Sequence, residues 1–386
     1  MQFKLTEDHL AVREAARQFA NNELKPGVIE RDKNMTFAKE QVRRMGELGF
    51  LGMMVDNKYG GGGMDTLSYV IAMEEISKID NSCSVLMSVN NSLVCWGLEE
   101  FGTEAQKQQY LTKLATGEWI GAFCLSEPEA GSDATSQRTT AIDMGDHYLL
   151  NGTKNWITNG GSSSVHLVIA QTDVAKGSRG INALIVPTSL PGVVIGAKED
   201  KLGIRGSDTH TIMYNDVRVP KENRIGEDGF GFKFAMKVLS GGRIGIAAQA
   251  LGIAAGAYEL AAAYAKERKA FGKAIIDHQA VAFKLAAMAT EIEAARMMVY
   301  RAAYLKDQHE DYGMASSMAK LYASDVAMRH TVEAVQIHGG YGYVKEYHVE
   351  RLMRDAKITQ IYEGTSEVQH IVIGREIAKD NLYLPI

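Results

Sequence analysis

The sequence predicts a protein of the α+β class, mainly α, in which a helical region is followed by a β region and then by helices again. Proline gives the first indication, because it lacks an N–H and clashes with the preceding turn inside a helix. Four of the six prolines lie between Pro128 and Pro220, whereas residues 27–127 and 221–384 contain none. Short apolar runs in the middle and helical spacing on both sides agree with this division.

The first region carries local signals of helices. Thr6 can cap a helix whose first turn holds Glu7 and Asp8, where negative charge is favourable near the positive end of the helix dipole. Leu67–Ile79 and Glu104–Leu114 are predicted as further helices. We therefore expect a helical N-terminal region.

The middle region has the pattern of a β structure. Tyr148–Leu150 precedes Asn151-Gly152, a dipeptide typical of tight hairpin turns. Val165–Ala170 and Ile181–Val186 are short apolar runs between turn residues and predict buried strands. We expect a compact β-domain, with a barrel as one arrangement.

Helical spacing returns from about Gly231. Arg243–Ala265 is rich in Ala, Gly and Ile almost all round, which predicts a helix buried on several sides. The seam of a helix bundle is predicted by apolar residues separated by four and three positions. These residues are Val281, Leu285, Met288, Ile292, Ala295 and Val299.

Length and charge limit the class of protein. A chain of 386 residues suggests two or three domains, and its net charge of −5 argues against a nucleic-acid surface. We find no apolar run close to the ~18 residues that span a membrane. The opening MQFKLTEDHL has neither a signal core nor a transit pattern. We expect a bacterial cytoplasmic protein or, second, a mitochondrial matrix protein after leader removal.

Cysteine and histidine do not predict a disulfide framework or a metal site. The three cysteines, Cys83, Cys95 and Cys124, show no C-x-x-C spacing, and the ten histidines show no H-E-x-x-H. We therefore expect no metal.

Two segments of the middle region have residues suited to a ligand. Ser126–Asp133 contains Gly131, which permits close backbone approach, and Ser132, which can donate to phosphate or carbonyl oxygens. Asn151–Thr158 contains Trp156, which can stack on a planar ring. Taken alone, a surface turn and a core tryptophan are the better interpretations.

Two segments of the C-terminal region suit phosphate binding. In Glu267–Gly272, the guanidinium of Arg268 is a fork-shaped donor that fits a pyrophosphate. In Gln336–Gly342, three glycines break a helix and expose backbone N–H groups, without the order of a Rossmann motif. A solvated helix end and a helix–helix turn are the alternatives.

A fifth segment, Ile361–Gln369, places a carboxylate before a helix. Thr365 or Ser366 can cap that helix, and Glu363 lies just outside it between apolar residues. Partial desolvation there raises the pKa of a carboxyl group towards that of a useful base. The alternative is a surface glutamate before a capped helix.

The joint order of these segments resembles the acyl-CoA dehydrogenase family from Leu5 to about Ala378. The short-chain (butyryl-CoA) branch is the most similar, on Ser88–Leu93, Lys198–Gly206 and Ile244–Ile253.

The resemblance implies three domains and a flavin. Residues 1–122 would form an N-terminal α-helical domain, 123–228 a middle β-barrel and 229–386 a C-terminal four-helix bundle. FAD would lie between barrel and bundle, in a homotetramer built as a dimer of dimers.

The resemblance also implies a set of site residues. Glu363 would be the catalytic base, and Thr158 would hydrogen-bond near flavin N5. The acyl-CoA substrate would contact Ser132, Ser240, Arg243 and Gly364. The FAD contacts would be Phe123, Cys124, Leu125, Ser126, Gly131, Ser132, Trp156, Ile157, Thr158, Arg268, Phe271, Gln279, Gln336, Ile337, His338, Gly339, Gly340, Thr365, Ser366 and Glu367.

The implied reaction is dehydrogenation of a short-chain acyl-CoA to a trans-2-enoyl-CoA. Glu363 would take the α-proton, flavin N5 would accept the β-hydride, and electrons would pass to electron-transferring flavoprotein. Ser240 stands where the family often has Asp, and Glu129 where Gly or Asn is common. The alternatives are an acyl-CoA oxidase, an enoyl-CoA reductase of the same fold, or a non-catalytic flavin-binding scaffold.

Overall fold

The N-terminal region is helical, as predicted, in the computed structural model, which describes residues 4–379. The Thr6 hydroxyl accepts a hydrogen bond from the His9 N–H and caps the first helix. The helices are α1 (Glu7–Phe19), α2 (Val28–Lys33), α3 (Lys39–Glu47), α4 (Thr66–Ser77), α5 (Asn81–Ser88), α6 (Trp96–Phe101), α7 (Glu104–Gln106) and α8 (Thr112–Ala115). The π-helical segments Ala20–Leu24, Val89–Cys95 and Lys107–Leu111 continue or join them.

The middle region is an eight-stranded mixed sheet in the order β6-β7-β3-β2-β4-β5-β8, with β1 parallel to β4. The strands are β1 (Gly121–Cys124), β2 (Thr140–Asp143), β3 (His147–Thr158), β4 (Val165–Gln171), β5 (Ile181–Pro187), β6 (Val193–Lys198), β7 (Thr209–Pro220) and β8 (Arg224–Ile225). Within residues 4–379 the end strands β6 and β8 do not pair, so the expected closed barrel is wrong.

The predicted hairpin turn at Asn151-Gly152 is also wrong. Both residues lie inside β3, which pairs with β2 on one side and β7 on the other, and the register shifts between Leu150 and Gly152. Pairing on both sides therefore outweighs the local turn preference and converts the dipeptide into a bulge. The turn that joins β2 to β3 instead contains Gly145, which has φ +97°.

The C-terminal region is a helix bundle, as predicted. The long helices α9, α10 and α11 pack against one another, and the shorter α12 packs on α9 and α11. Of the predicted seam, all but the half-buried Val281 are buried. The helices are α9 (Gly231–Glu267), α10 (Gln279–Asp307), α11 (Gly313–His338), α12 (His348–Ala356) and α13 (Ser366–Ile377), with a small hairpin of β9 (Lys269–Ala270) and β10 (Lys273–Ala274) before α10.

One hydrophobic core joins the two helical regions. It extends from Ala16 and Phe19 in α1 through α4 and α9 to Leu352 and Ala356 in α12. A second core packs strands of the sheet against the start of α9, through residues such as Phe234. The order helix, sheet, helix is therefore confirmed, and we propose the domain limits 122/123 and 228/229 on the same grounds.

By length and composition alone helix α9 could cross a membrane, although its sequence has no unbroken apolar run of ~18 residues. Of its most apolar window, 83% is buried inside the protein, where the side chains contact other parts of the chain. All three cysteines are free and buried.

Candidate active site

Glu363 lies in a left-handed turn immediately before α13. Its φ is +51°, and that of Gly364 is +89°. The Thr365 hydroxyl accepts a hydrogen bond from the Val368 N–H and caps α13, as predicted. A non-glycine residue adopts such a φ rarely, and it persists where surrounding contacts hold it. The turn directs the Glu363 side chain away from α13 and towards α9.

The Glu363 carboxylate is packed against the backbone of α9. A Cβ placed on Gly242 would lie 2.1 Å from Glu363 Oε2 and 2.6 Å from Leu93 Cδ2. Glu363 Oε2 is buried and has no hydrogen-bond partner within residues 4–379. Only glycine at position 242 leaves room for the carboxylate in this arrangement. The sequence signal for it, the pair Gly241-Gly242 inside a helix, was not recognised.

Burial raises the pKa of Glu363 to about 8, while the positive charges of Lys320 and Arg243 act in the opposite direction. Removal from water disfavours the charged form of a carboxyl group, which accounts for the sign. A carboxyl group whose pKa lies near the working pH is suited to accept and return a proton. The predicted desolvation of Glu363 is therefore present.

Lys320 of α11 and Arg243 of α9 bring positive charge to this site. Lys320 is fully buried, and its ammonium donates to the Gly364 carbonyl at 2.7 Å. Burial lowers the pKa of Lys320 to about 8. Arg243 is 7% exposed and donates to Ser317 Oγ at 3.2 Å. Sequence interpretation missed Lys320, although it is the only charge in Ser316–Ser324.

Buried hydroxyl groups lie further along α9. A Cβ on Gly245 would be 2.5 Å from the Tyr69 hydroxyl and 2.6 Å from Ser88 Oγ. Neither oxygen has a hydrogen-bond partner within the described part of the chain. On the other side, the Tyr362 hydroxyl donates to Gln249 Oε1. These groups limit the space next to Glu363.

The two predicted flavin segments of the middle region lie side by side. The Asn155 N–H donates to the Ser126 carbonyl at 2.8 Å, which links the end of β3 to the loop after β1. Trp156 has φ +61° and is 60% exposed, so its ring faces outward from β3 and is not the core tryptophan of the alternative interpretation. The structure thus brings Phe123–Ser126 together with Trp156–Thr158.

A buried ion pair fixes these two segments to each other. Lys154 of β3 is fully buried, and its ammonium contacts Glu127 Oε1 at 2.7 Å and the Leu125 carbonyl at 2.9 Å. Glu127 also accepts the Arg138 N–H at 2.5 Å and the Thr139 N–H at 3.0 Å. Neither residue was predicted, and nothing local in the sequence marks them as partners.

The end of the same loop is open. A Cβ on Gly131 would meet no atom within 4 Å, and Ser132 is exposed. Glu129, one of the departures from the family pattern, forms an exposed ion pair with Arg138 at 2.6 Å. Its charge is therefore partly neutralised at the surface.

Of the remaining predicted FAD contacts, the structure brings Arg268 close to the glycine segment that ends before Tyr341. The Arg268 guanidinium lies 5.6 Å from the ring centre of Tyr341, and His338 stacks on Tyr264 at 4.3 Å. Phe271 is 96% exposed. Within residues 4–379, no hydrogen bond or ion pair joins the side chains of Arg268, Gln279 or Gln336 to Glu363 or the Ser126 loop.

A cavity of about 1000 Å³ lies beside the start of α9. Its walls include Trp96, Glu99, Ser240, Lys306 and Tyr312. Ser240 donates back to the Met236 carbonyl at 3.0 Å, as a helical serine commonly does. In the part of the chain that is described, no group of three or more His, Cys, Asp or Glu residues is placed to hold a metal ion.

Three family models cover most of the chain. Residues 6–118 match the acyl-CoA dehydrogenase N-terminal domain, 122–217 the middle domain and 229–378 the C-terminal domain.

Individual relatives are similar over almost their whole length. The short-chain specific acyl-CoA dehydrogenase of Clostridium acetobutylicum is 51% identical, over 98% of this chain and all of that protein. The butyryl-CoA dehydrogenase structure from Megasphaera elsdenii matches with a TM-score of 0.97 and 48% identity, over 98% of this chain and all of that one. A chain in a structure described as the electron transferring flavoprotein of Acidaminococcus fermentans matches with a TM-score of 0.97 and 50% identity, over 98% and 100% of the two chains. The arrangement around Glu363 therefore stands in a chain that belongs to the acyl-CoA dehydrogenase family.

Proposed function

We propose that this chain catalyses the FAD-dependent α,β-dehydrogenation of short-chain acyl-CoA thioesters to trans-2-enoyl-CoA, with Glu363 as the base. The observation that carries the proposal is the state of Glu363: the residue is half-buried, its Oε2 is buried and unpartnered within residues 4–379, and burial raises its pKa to about 8. The short-chain and butyryl-CoA dehydrogenases among its relatives support the substrate class.

The residues of the middle region fit a flavin. The outward ring of Trp156 offers a stacking surface, and the open position at Gly131 permits close approach of a ligand to the backbone. Related structures described as PigA with FAD and proline and as a glutaryl-CoA dehydrogenase with FADH2 support this cofactor. We assign Phe123–Ser132 and Trp156–Thr158 to the isoalloxazine and pyrophosphate, and Thr365–Glu367 to the adenine half.

Within this assignment, the protein acts mainly by positioning and by charge. Glu363 removes the α-proton of the thioester, while its own backbone N–H can donate to the thioester carbonyl and stabilise the developing negative charge. The bound flavin would supply the acceptor for the hydride from the β-carbon. Packing against α9 keeps water from Glu363 Oε2, which strengthens the electrostatic interactions of that oxygen.

We place the CoA part of the substrate towards Ser240, Arg243 and Ser132. Ser240 lines the large cavity, and Arg243 lies on the next turn of α9 beside Glu363. The hydroxyl groups of Tyr69 and Ser88 reduce the space further along the same helix, which favours a short acyl chain.

The proposed function is tested by anaerobic titration of the purified yellow protein with acyl-CoA substrates from C4 to C12. We expect butyryl-CoA to bleach the flavin absorbance fastest, with trans-2-enoyl-CoA as the product. No bleaching by any member of the series would contradict the proposal, and a colourless protein would favour the non-catalytic scaffold.

The same preparation separates a dehydrogenase from an oxidase. We propose that electrons leave to an electron-transferring flavoprotein, supported by the likeness to a chain from the Acidaminococcus fermentans structure. Reduced protein should then react slowly with oxygen and quickly with that acceptor. Fast reaction with oxygen would favour the oxidase.

Exposed rings at one end of the bundle support a homotetramer, a dimer of dimers. Phe271 and Tyr343 are 96% and 86% exposed. In such an assembly Arg268, Gln279 and Gln336–Gly340 would reach the FAD of a neighbouring subunit. The bacterial relatives support a cytoplasmic location for this protein, and the mitochondrial relatives support the mitochondrial matrix as the alternative.

Gly242→Ala is expected to lower butyryl-CoA turnover by about 100-fold, because the added methyl would occupy the position of Glu363 Oε2 and displace the base by ~1 Å or more. Gly241→Ala is the matched control, since its methyl would meet nothing closer than 3.9 Å. Steady-state kinetics of both variants, normalised to bound flavin, check the prediction. Equal activity of the two variants would show that the carboxylate does not work from this position.

A further inference from the structure

We propose that Lys320 is a positioning residue for the reaction: its ammonium holds the Gly364 carbonyl and thereby fixes the left-handed turn that aims the Glu363 carboxylate. This inference rests on the proposed role of Glu363 and adds a second residue, 43 positions earlier in the chain, on which that role depends.

The burial of Lys320 is not explained by packing. The residue is fully buried in α11, among buried alanine and serine residues of that helix and near the charged groups of Glu363 and Arg243. An ammonium group has three N–H donors, yet within residues 4–379 a single protein acceptor, the Gly364 carbonyl, takes one of them at 2.7 Å. Burying a charge is costly, so an apolar side chain would serve the core better.

The acceptor belongs to the strained part of the site. Glu363 and Gly364 have φ values of +51° and +89°. The Gln369 side-chain amide donates to the Gly364 carbonyl at 2.8 Å and to the Glu363 carbonyl at 3.2 Å. Lys320 and Gln369 therefore hold the same carbonyl from α11 and from α13. Such a turn keeps its conformation only while these contacts persist.

Lys320 also acts on the charge of the base. The groups that face Glu363 are Arg243 from α9, Lys320 from α11, Tyr69 from α4 and the adjacent Tyr362. The first two carry positive charge and oppose the rise in the pKa of Glu363 that burial causes. The negative charges of Asp325 and Glu367 in turn raise the pKa of Lys320, against the lowering caused by burial. Removing the Lys320 charge should therefore make Glu363 harder to ionise.

The experiment uses three variants of the FAD-loaded enzyme: Lys320→Met, Lys320→Gln and Gln369→Leu. For each, kcat and kcat/KM for butyryl-CoA are measured against pH, and flavin per chain is measured by absorbance. We expect Lys320→Met to lower kcat by about tenfold or more, since misplacement of a base is costly, with the ascending limb of kcat/KM moved to higher pH.

The other two variants separate geometry from charge. Lys320→Gln keeps an N–H donor near Gly364 without the charge, so kcat should partly recover while the limb stays at higher pH. Gln369→Leu removes a neutral donor, so kcat should fall with the limb at its wild-type position. Flavin content should be unchanged in all three.

Wild-type kcat and an unmoved limb in Lys320→Met and Lys320→Gln would overturn the proposal. So would an activity loss in Lys320→Met that only follows lost flavin or lost folded protein, with Lys320→Gln behaving as wild type. Glu363→Gln in the same assay distinguishes failure of the base assignment from failure of the positioning role. If it keeps turnover, the base assignment fails; if it is inactive while both Lys320 variants are normal, only the positioning role fails.

Discussion

Glu363→Gln is expected to reduce turnover of butyryl-CoA by about two to four powers of ten, the contribution typical of a general base. The amide has nearly the same shape as the carboxyl group but cannot accept the α-proton. The amide therefore fills the same space against Gly242. Lys320 and Gln369 donate to the backbone carbonyl of Gly364, which the substitution does not change. The variant should therefore fold, bind FAD and bind acyl-CoA.

The measurement combines flavin content, acyl-CoA binding and single-turnover flavin reduction. Glu118→Gln, which changes an exposed carboxylate on the loop before β1, is the control and should behave as wild type. Near-normal flavin reduction by Glu363→Gln would refute the base assignment. Loss of flavin together with activity would mean that Glu363 is needed for the structure of the site.

Lys154→Met is expected to lower the free energy of unfolding by about 3–5 kcal/mol, as when one partner of a buried ion pair is removed. Glu127 would stay buried without its cation, still accepting two backbone N–H groups. The loop after β1 would lose the Lys154 contacts to Leu125 and Glu127 and keep only the backbone bond from Asn155 to Ser126, so flavin content should fall as well. Urea unfolding and flavin absorbance measure the two effects separately.

Two comparisons make this prediction specific. Lys233→Met removes an exposed lysine and should change the free energy of unfolding by less than about 0.5 kcal/mol. Adding Glu127→Gln to Lys154→Met removes the unpaired charge while leaving an amide oxygen to accept a backbone N–H, and should restore part of the stability. If the double variant is no more stable than Lys154→Met, the ion pair is not the cause of the loss.

Much of the fold follows from local patterns. Proline excludes helices wherever it recurs, and the spacing from Val281 to Val299 follows the turns of a single helix, so both signals lie within short stretches. The dipeptide Asn151-Gly152 misled because strands distant in sequence pair on both sides of it. The prediction of a barrel was wrong for a similar reason, because closure would require pairing between β6 and β8, and no local pattern in the sequence encodes that pairing.

The candidate site also contains residues that local sequence predicts and residues that it does not. Glu363 was predictable from its neighbours, because Gly364 and the capping residue Thr365 mark a loop before a helix. Gly242 and Lys320 were not, because Gly242 lies against the Glu363 carboxylate, 121 positions away, and Lys320 donates to the Gly364 carbonyl, 44 positions away. Long-range contacts of this kind appear only when the three helices α9, α11 and α13 are placed together.

The core shared by both ends of the chain has a consequence during synthesis. Helices α1 to α5 leave the ribosome well before α9, whose residues Ala247, Leu251 and Ala254 complete their packing. At ~5–20 residues per second, the nascent N-terminal third waits several seconds or more with apolar surface uncovered. This interval is when the polypeptide is most open to capture by chaperones or to aggregation, so shortening the delay should raise the yield of soluble enzyme.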